Sequence, residues 1–323
     1  MVPFAYERPE TIEDAVALSA RPGAMPMAGG TNLVDLMRDY VRAPQTVVDL
    51  SRLPLREIQE EDGALVLGAL STNTAVANHP IVRERYSALS EAILAGASQQ
   101  IRNRATTAGN ILQCTRDPFY WNTAYGGAAG VGEPRDMDAV DAASMRLPVA
   151  YHAVLGLEAN GSASRAANPS DMGAALALYD PVVEIMGASG RRSVPYADFH
   201  HRTGRDPIAE TALEPGDIIA ALRLPAAPPG RSGYDKIRER HSYAYALVSV
   251  AAHRGPDGTR VAFGSVAPVP WRARKAEAVL NGGGSTEDAV AAEFEGVAVP
   301  EELAFKRPML AGALAGLLER LEG

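Results

Sequence analysis

The amino-acid sequence predicts an α+β fold built from two or three packed units, and three observations lead to this expectation. The chain has 323 residues, which exceeds what a single hydrophobic core usually organises. The first fifty residues alternate helix and strand patterns, as a compact α/β unit does. Beyond residue 233, two strand-like segments joined by a GPDG turn at 255–258 are followed by helical segments, which predicts an antiparallel sheet packed against helices.

The composition is typical of a folded enzyme. Hydrophobic residues make up 46% of the chain and charged residues 22%, so overall disorder is not expected. The net charge is −8, and no run of basic residues offers a track for a phosphate backbone, so we expect no nucleic-acid partner. The N-terminus carries charges where a signal peptide needs an apolar segment, and no apolar stretch is long enough to span a bilayer. We therefore expect a cytoplasmic chain without membrane insertion.

The N-terminal elements follow from capping residues and apolar periodicity. Thr11 is a candidate N-cap for a helix through Ala20. The apolar run 24–28 predicts a strand that ends at a pair of glycines, after which Thr31 or Asn32 can cap a second helix. The segment TVVDL at 46–50 predicts another buried strand.

The middle of the chain is less regular. We predict strands at 64–68, at 153–159 and at 181–187, and an amphipathic helix at 80–97. Residues 114–150 contain two aromatic clusters and little periodicity, which predicts a long ordered insertion or a mobile loop.

The Pro/Gly-rich stretch LPAAPPGRSG at 224–233 is the best candidate for a domain boundary. It divides the chain into residues 1–226, with subdomains of about 1–54 and 55–226, and a smaller C-terminal domain of residues 227–323. In the latter we predict two antiparallel strands, at 244–253 and at 260–266, and then helices near 272–281, 286–294 and 301–322.

Several kinds of catalytic and metal site are excluded by inspection. The motifs G-x-G-x-x-G, G-x-S-x-G and H-E-x-x-H and the P-loop are all missing. The six histidines lack the helical spacing of metal ligands, and the one cysteine, Cys114, fits a reducing compartment and cannot build a multi-thiolate site. Tyr243 and Tyr245 alternate with alanines and are equally consistent with one face of a strand or with a site. We therefore predict no catalytic side chain and no metal ligand.

Two glycine-containing segments remain as candidate binding loops. In MPMAGGTNLVDLM, Gly29 and Gly30 lie between a strand end and a helix start, where backbone N–H groups can face a bound phosphate. In IRNRATTAGNILQ at 101–113, threonine hydroxyls, a glycine and an asparagine amide occur together. Each segment alone is also compatible with an ordinary tight turn.

Together these segments resemble those of one family, the FAD-binding medium subunits of the molybdenum hydroxylases. This is the group of xanthine dehydrogenase, carbon monoxide dehydrogenase and aldehyde oxidoreductase, which has the PCMH-type FAD-binding domain of the vanillyl-alcohol-oxidase fold. The similarity extends to NPSDMGAALALYDP at 168–181, EPGDIIAALRLP at 214–225 and YDKIRERHSYAYALVSVA at 234–251. The chain also resembles the flavin subunits of bacterial periplasmic-type aldehyde oxidoreductases.

The resemblance implies a set of FAD-binding residues. The first loop, Pro26, Met27, Ala28, Gly29, Gly30, Thr31, Asn32 and Leu33, would wrap the pyrophosphate. The second segment would contact the phosphates and ribitol through Thr106, Thr107, Gly109 and Asn110. Asp117 is the nearest match to an acidic residue that contacts the adenosine side of FAD in relatives. Ile219 matches a residue that packs near the flavin, and Lys236 matches a lysine at the cofactor. Residues 239–245 would form a loop near the isoalloxazine ring.

The resemblance also implies a role in electron transfer. In relatives, a molybdopterin-binding large subunit oxidises an aldehyde or N-heterocycle, a small subunit with 2Fe-2S clusters relays electrons, and FAD passes them to a small-molecule acceptor such as NAD, a quinone or dioxygen. An alternative is a free-standing flavoenzyme that oxidises a small molecule directly on FAD, with Phe119, Tyr120, Trp121 and Tyr125 lining its substrate pocket. A third possibility is a scaffold that has kept the fold without flavin.

We predict that the purified chain binds FAD noncovalently and contains no iron–sulfur cluster. Some relatives hold a four-iron cluster in the insertion after the second flavin segment, and such a cluster usually needs four thiolates. Here the segment 112–159 contains a single cysteine, Cys114. We therefore expect that aromatic packing of Phe119, Tyr120 and Trp121 holds the insertion, or that the insertion is mobile. Acid precipitation should release FAD. Stoichiometric iron and sulfide in the isolated chain would contradict the prediction.

Overall fold

The computed structural model of the chain describes residues 1–122, 137–157, 165–201 and 211–323. Its first unit is a small parallel sheet with two helices. The elements are β1 (Ala5–Glu7), α1 (Ile12–Ser19), β2 (Ala24–Met27), α2 (Leu33–Arg38) and β3 (Thr46–Asp49). The strand order is β1-β3-β2, so β3 lies in the centre and pairs in parallel with both neighbours.

The start of α1 confirms the capping prediction. The Thr11 hydroxyl accepts a hydrogen bond from the Asp14 N–H at 3.1 Å, which satisfies one of the free donors in the first turn. Ala15 and Val16 bury the inner face of the helix. Asn32 occupies the N-cap position of α2 but makes no capping bond through its side chain.

The second unit is built on a five-stranded antiparallel sheet in the order β4-β5-β8-β6-β7. Its strands are β4 (Ile58–Glu61), β5 (Ala64–Gly68), β6 (Val182–Gly187), β7 (Gly190–Pro195) and β8 (Ile218–Leu224). Its helices are α3 (Asn73–Asn78), α4 (Pro80–Arg85), α5 (Ser87–Ala95), α6 (Gln99–Arg102), α7 (Thr107–Ile111), α8 (Pro118–Trp121), α9 (Met137–Arg146), α10 (Asp171–Leu176) and α11 (Tyr196–Phe199). The strands predicted at 64–68 and 181–187 are confirmed.

The single helix predicted at 80–97 is wrong, because the chain breaks at Tyr86 into α4 and α5. Tyr86 has φ −127° and ψ 45°, outside the helical region. Its side chain is buried, its hydroxyl donates to the Pro225 carbonyl at 2.7 Å, and its ring packs edge-on against Tyr179. Tertiary packing of this tyrosine therefore overrides the local helical pattern.

The strand predicted at 153–159 is also wrong for residues 153–157, and its last two residues lie outside the described ranges. The N–H groups of Val154 and Leu155 both donate to the Val266 carbonyl at 2.8 Å. This shared acceptor satisfies the backbone without a strand ladder.

The insertion after α7 is held by aromatic packing in its described part. Phe119 and Tyr120 are buried in a cluster with Leu36 and Cys114, and Trp121 packs against its edge. This confirms the predicted packing of the three aromatic residues. Residues 123–136 of the insertion lie outside the described ranges.

The third unit is a four-stranded antiparallel sheet, in the order β12-β11-β10-β9, packed against helices. The strands are β9 (Arg231–Ile237), β10 (Val248–Gly255), β11 (Gly258–Gly264) and β12 (Trp271–Arg272). The helices are α12 (Arg274–Asn281), α13 (Thr286–Glu293) and α14 (Lys306–Glu322), with a 3₁₀ turn at Glu301–Leu303. The turn at 255–258 and the three helices are confirmed.

Two strand boundaries in this unit differ from the sequence prediction. Strand β10 begins at Val248, because Tyr243 has φ +53° and the chain bends before it. Tyr243 and Tyr245 therefore do not lie on a strand face. Strand β11 ends at Gly264, because Ser265 has φ +59° and starts a turn. Among the described residues, no helix is long and apolar enough to cross a membrane.

Lys306, the first residue of α14, is fully buried in the core of the third unit. Its Nζ donates to the carbonyls of Leu247 and Ser265, each at 2.8 Å. Burial lowers the pKa of Lys306 to about 7, because a charged ammonium is disfavoured away from water.

We expect the stability contribution of Lys306 to depend on pH. In the unfolded chain the amine keeps its proton until about pH 10.5, so between about pH 7 and pH 10.5 the unfolded state binds more protons and the free energy of unfolding rises with pH. Lys306→Met removes this group. The urea midpoint of the wild-type chain, followed by tryptophan fluorescence, should therefore increase relative to that of the variant across this window. Parallel pH curves would contradict the assignment.

Candidate functional site

The three units meet at a cleft of about 550 Å³, which is within the usual range of roughly 300–1,000 Å³ for cofactor sites. The first unit contributes the turn before α2, the second contributes α3, α5, α6, α7 and the start of α10, and the third contributes the loop between β9 and β10. Of the residues implied by the resemblance, Thr31, Asn32, Gly109, Asn110 and Lys236 line it.

The two glycine-containing segments are in direct contact. A Cβ added at Gly29 would lie within 2.7 Å of the Arg104 carbonyl carbon and closer still to its oxygen. The turn can therefore pack against residues 104–105 only because Gly29 has no side chain. Gly30 adopts φ +78°, a conformation that favours glycine. Asn32 adds a side-chain bond from its Nδ2 to the Leu112 carbonyl at 3.4 Å.

The threonines of the second segment serve mainly its own folding. The Thr106 hydroxyl caps α7 by accepting from the Gly109 N–H at 3.2 Å. Thr107 is fully buried, and its hydroxyl and N–H both donate to the Ser71 carbonyl. These bonds present Gly109 and Asn110, rather than the two hydroxyls, to the cleft.

Asn110 is held in one orientation by its neighbours. Its Oδ1 accepts hydrogen bonds from the Ser170 hydroxyl and the Gln113 amide, both at 2.7 Å. Ser170 also caps α10 by accepting from the Gly173 N–H at 2.8 Å. Because the Oδ1 is used twice, the group that Asn110 can offer a ligand is its amide N–H.

Lys236 lines the cleft as half of a buried ion pair. Its Nζ lies 2.7 Å from Asp171 Oδ2, and Asp171 Oδ1 accepts from the Tyr234 hydroxyl at 2.5 Å. Burial, together with the Asp171 charge, raises the pKa of Tyr234 well above its ordinary value. The pair leaves little net charge at Lys236, so this lysine is a weak counter-charge for an anionic ligand.

The β9–β10 loop forms the third wall. Glu239 accepts a short hydrogen bond from the Tyr151 hydroxyl, and this bond and the burial of the phenol raise the pKa of Tyr151 to about 12. The Arg240 guanidinium donates to the Tyr243 carbonyl and lies 5.9 Å from the Tyr243 ring. These contacts hold Tyr243 in its left-handed backbone conformation, which is strained for an aromatic residue.

Arg116 is one of the cleft residues that the sequence patterns did not indicate. Its guanidinium lies 4.6 Å from the Trp121 ring and 5.3 Å from the Tyr245 ring, so it is stacked between two aromatic side chains. Within the described part of the chain, no acidic side chain pairs with it. The sequence does carry a signal for it, the basic residue in CTRDPFYW directly before Asp117.

The cleft carries more positive charge than the chain as a whole. Among the described residues, four cationic side chains line it against three acidic ones, while the whole chain has a net charge of −8. The cationic residues are Arg102, Arg116, Lys236 and Arg240, and the acidic ones are Asp35, Asp171 and Glu239. Arg102 is bonded to the carbonyls that follow α5, and Asp35 pairs with Arg38. Arg116 is therefore the cation best placed to meet an anionic ligand.

The structure places Asp117 outside the cleft. Its buried carboxylate accepts from the N–H groups of Phe119 and Tyr120 and from the Ser144 hydroxyl, and it lies 2.8 Å from His152 Nε2. Burial acts to raise the pKa of Asp117, but these bonds, that from His152 foremost, outweigh burial and hold it below its ordinary value. The carboxylate is thus engaged inside the protein, and its contact with the adenosine side stays a prediction.

The remaining implied residues also lie behind the lining. Ile219 is in β8 opposite Ile185 and is buried in the core of the second unit. Leu33 packs with Met25 and Met27, and Ala28 packs against another apolar cluster. Pro26 belongs to β2. The position near the flavin that is expected for Ile219 stays a prediction.

Comparison with known proteins identifies the class. Residues 2–227 match the family described as the FAD binding domain in molybdopterin dehydrogenase. The chain is 46% identical over 290 residues to the aldehyde oxidoreductase FAD-binding subunit PaoB of Escherichia coli, covering 88% of this chain and 87% of that protein. It is 28% identical to the carbon monoxide dehydrogenase medium chain of Hydrogenophaga pseudoflava, covering 90% and 85%. The structure of that bacterium's carbon monoxide dehydrogenase without the Mo-pyranopterin moiety superposes with a TM-score of 0.71 at 26% identity, covering 99% of both chains.

The chain belongs to this family of FAD-binding domains of molybdopterin dehydrogenases. It is an FAD-binding subunit of the molybdenum hydroxylase type, its cofactor is FAD, and its activity class is that of FAD-dependent oxidoreductases. The expected α+β fold, an FAD-binding domain followed by an antiparallel sheet with helices, is confirmed.

The cleft has the polar groups that FAD needs. Buried atoms without a hydrogen-bond partner among the described residues include the acceptors Asn32 Oδ1 and Asn73 Oδ1 and the donors Arg102 Nε and Arg116 Nε. Buried polar atoms are rarely left unpaired unless a ligand or water meets them. A dinucleotide offers phosphate oxygens that accept and sugar hydroxyls that donate, so a mixture of unpaired donors and acceptors fits it.

We predict that Gly29→Ala lowers FAD affinity more than tenfold, because the new Cβ would meet a backbone carbonyl that cannot rotate away. Gly30→Ala should cost about 1–2 kcal/mol of stability through its positive φ and weaken binding less. Gly63 is the matched control, since it has the same φ of +78° with no atom within 4 Å of an added Cβ. Calorimetric titration with FAD measures all three. Equal affinities for Gly29→Ala and Gly63→Ala would contradict the prediction.

Proposed function

We propose that this chain holds FAD in the cleft between its three units and passes electrons from a molybdenum and iron–sulfur partner to a small-molecule acceptor. The partners would be a molybdopterin-binding large subunit and a small subunit with 2Fe-2S clusters, and the substrate of the complex an aldehyde or N-heterocycle. Relatives named as a FAD-binding subunit and a medium chain support an assembly of several chains. FAD supplies redox chemistry when bound, while the protein supplies its binding and orientation.

The contacts that we propose follow the lining. Thr31, Asn32, Gly109 and Asn110 would contact the diphosphate and adjoining sugar groups, with Arg116 as counter-charge. The β9–β10 loop would lie against the flavin ring, with Tyr243 and Tyr245 as its aromatic members. No histidine or cysteine lies in the described lining, so these two kinds of covalent attachment point are not available there.

One observation favours electron transfer over direct substrate oxidation: the acid–base groups of the cleft are engaged by the protein. Asp171 accepts from Lys236 and Tyr234, and Glu239 accepts from Tyr151. The raised pKa of Tyr151 makes it a poor base near neutral pH. Oxidation of an alcohol on FAD needs a base that takes the hydroxyl proton, whereas transfer of electrons from a partner does not.

The free-standing flavoenzyme is the second candidate, and its pocket is not supported. Phe119 and Tyr120 are buried in the core of the insertion, and Trp121 stacks on Arg116 outside the cleft lining. Tyr125 lies outside the described residues.

Anaerobic flavin absorbance tests the proposal. The tagged chain would be purified from its own cells, and separately as the FAD-loaded chain alone. In the first sample we expect molybdenum and iron in constant ratio to flavin, and bleaching of the flavin band by an added aldehyde or N-heterocycle. The chain alone should not be bleached. Bleaching of the metal-free chain by such a substrate would establish the free-standing flavoenzyme instead.

We predict that Arg116→Gln weakens FAD binding about 10- to 100-fold, because a hydrogen bond to a charged group contributes roughly 1.5–3 kcal/mol. Affinity for riboflavin, which has no phosphate, should change little. Arg254→Gln is the control, since this arginine pairs with Glu322 away from the cleft. Equal losses of affinity for FAD and for riboflavin in the Arg116→Gln variant would show that Arg116 does not pair with phosphate.

A further inference from the structure

The amine of Lys306 is the most unusual buried group outside the cleft. Its side chain has no solvent exposure, and no carboxylate of the described residues forms an ion pair with it. Desolvating an amine costs several kcal/mol unless its hydrogen bonds are replaced. An apolar residue at this position would often be at least as favourable for stability alone. The two carbonyls that Lys306 binds therefore indicate that this lysine has a role beyond core packing.

The first carbonyl closes the base of the β9–β10 loop. Leu247, whose carbonyl accepts from Lys306, donates its own N–H to the Ile237 carbonyl at 2.8 Å. This pair joins the two ends of residues 238–246. The cleft-lining residues Glu239, Arg240, Tyr243, Ala244 and Tyr245 all lie within that loop. The position of Leu247 thus fixes where the third wall of the cleft begins.

The second carbonyl leads to the opposite wall. Ser265 starts the turn after β11, and in this turn the Ala267 carbonyl accepts from the Asn168 N–H at 2.9 Å. Asn168 Oδ1 in turn accepts from the Ser170 N–H at 3.0 Å, and the Ser170 hydroxyl donates to Asn110. Hydrogen bonds, together with the short backbone segment 265–267, therefore connect Lys306 to a residue of the cleft lining.

We propose that Lys306 is a positioning residue for the flavin site: its buried amine sets the spacing between the β9–β10 loop and the segment 168–170 that orients Asn110. Two carbonyls that converge on one point need a donor with at least two N–H groups, and the lysine amine provides them without touching the cofactor. This inference rests on the proposed FAD site.

The test compares Lys306→Met with Arg307→Met, a matched control at the next, exposed position of the same helix. The measurements are FAD affinity, visible circular dichroism of the bound flavin, and amide hydrogen exchange. For Lys306→Met we expect at least a tenfold loss of affinity, an altered dichroism spectrum, and faster exchange in residues 238–247 and 168–170. Lys306→Gln keeps one pair of N–H groups, so each of these three effects should be smaller in this variant than in Lys306→Met. Arg307→Met should behave as wild type.

A Lys306→Met variant that is less stable but binds FAD with wild-type affinity and dichroism would overturn the proposal, since Lys306 would then only satisfy two carbonyls. If Lys306→Met does not fold, Lys306→Gln decides by the same measurements. Failure of the wild-type chain to bind FAD would instead refute the cofactor site itself, so the two failures are distinguishable.

Discussion

The approach of the Gly29 backbone to the Arg104 carbonyl is the contact on which the cleft depends. It joins the first unit to the second at a distance that a Cβ would prevent. Thr31 and Asn32 follow directly in the chain, and Gly109 and Asn110 lie shortly beyond Arg104. The backbone contact therefore brings both pairs to one cleft. A larger residue would separate the two loops without changing any polar group that faces the ligand.

The charge that the cleft presents to a ligand depends on which of its charged side chains are paired within the protein. Lys236 is neutralised by Asp171, and the Arg240 guanidinium is oriented by its bond to the Tyr243 carbonyl. Arg116 has aromatic neighbours instead, which fix the plane of its guanidinium without cancelling its charge. An acidic chain can in this way present a local positive charge to a diphosphate. The same pairing engages the carboxylates in the described lining of the cleft, so the proposed FAD binding and the proposed electron transfer rest on one arrangement.

Local patterns predicted much of the fold and part of the site. The Thr11 cap, the GPDG turn and the C-terminal helices follow from short-range chemistry. The break at Tyr86 depends on a distant contact, the bond from its hydroxyl to the Pro225 carbonyl. The bend at Tyr243 is held by Arg240, three residues earlier, through a side-chain bond to a backbone carbonyl that no apolar pattern indicates. Arg116 and Asp117 are adjacent, and only tertiary structure shows that the arginine lines the cleft while the aspartate is buried. Lys306 did carry a signal, because it is in helical register with the buried Leu310, Leu314, Leu317 and Leu321.

We propose that the turn at 29–32 and the segment at 106–110 hold one diphosphate between them. A crystal structure of the chain with bound FAD is the decisive measurement. We expect diphosphate oxygens within hydrogen-bond distance of groups in both segments, with the flavin ring against residues 239–245. A diphosphate bound by only one of the segments, or FAD located outside this cleft, would contradict it.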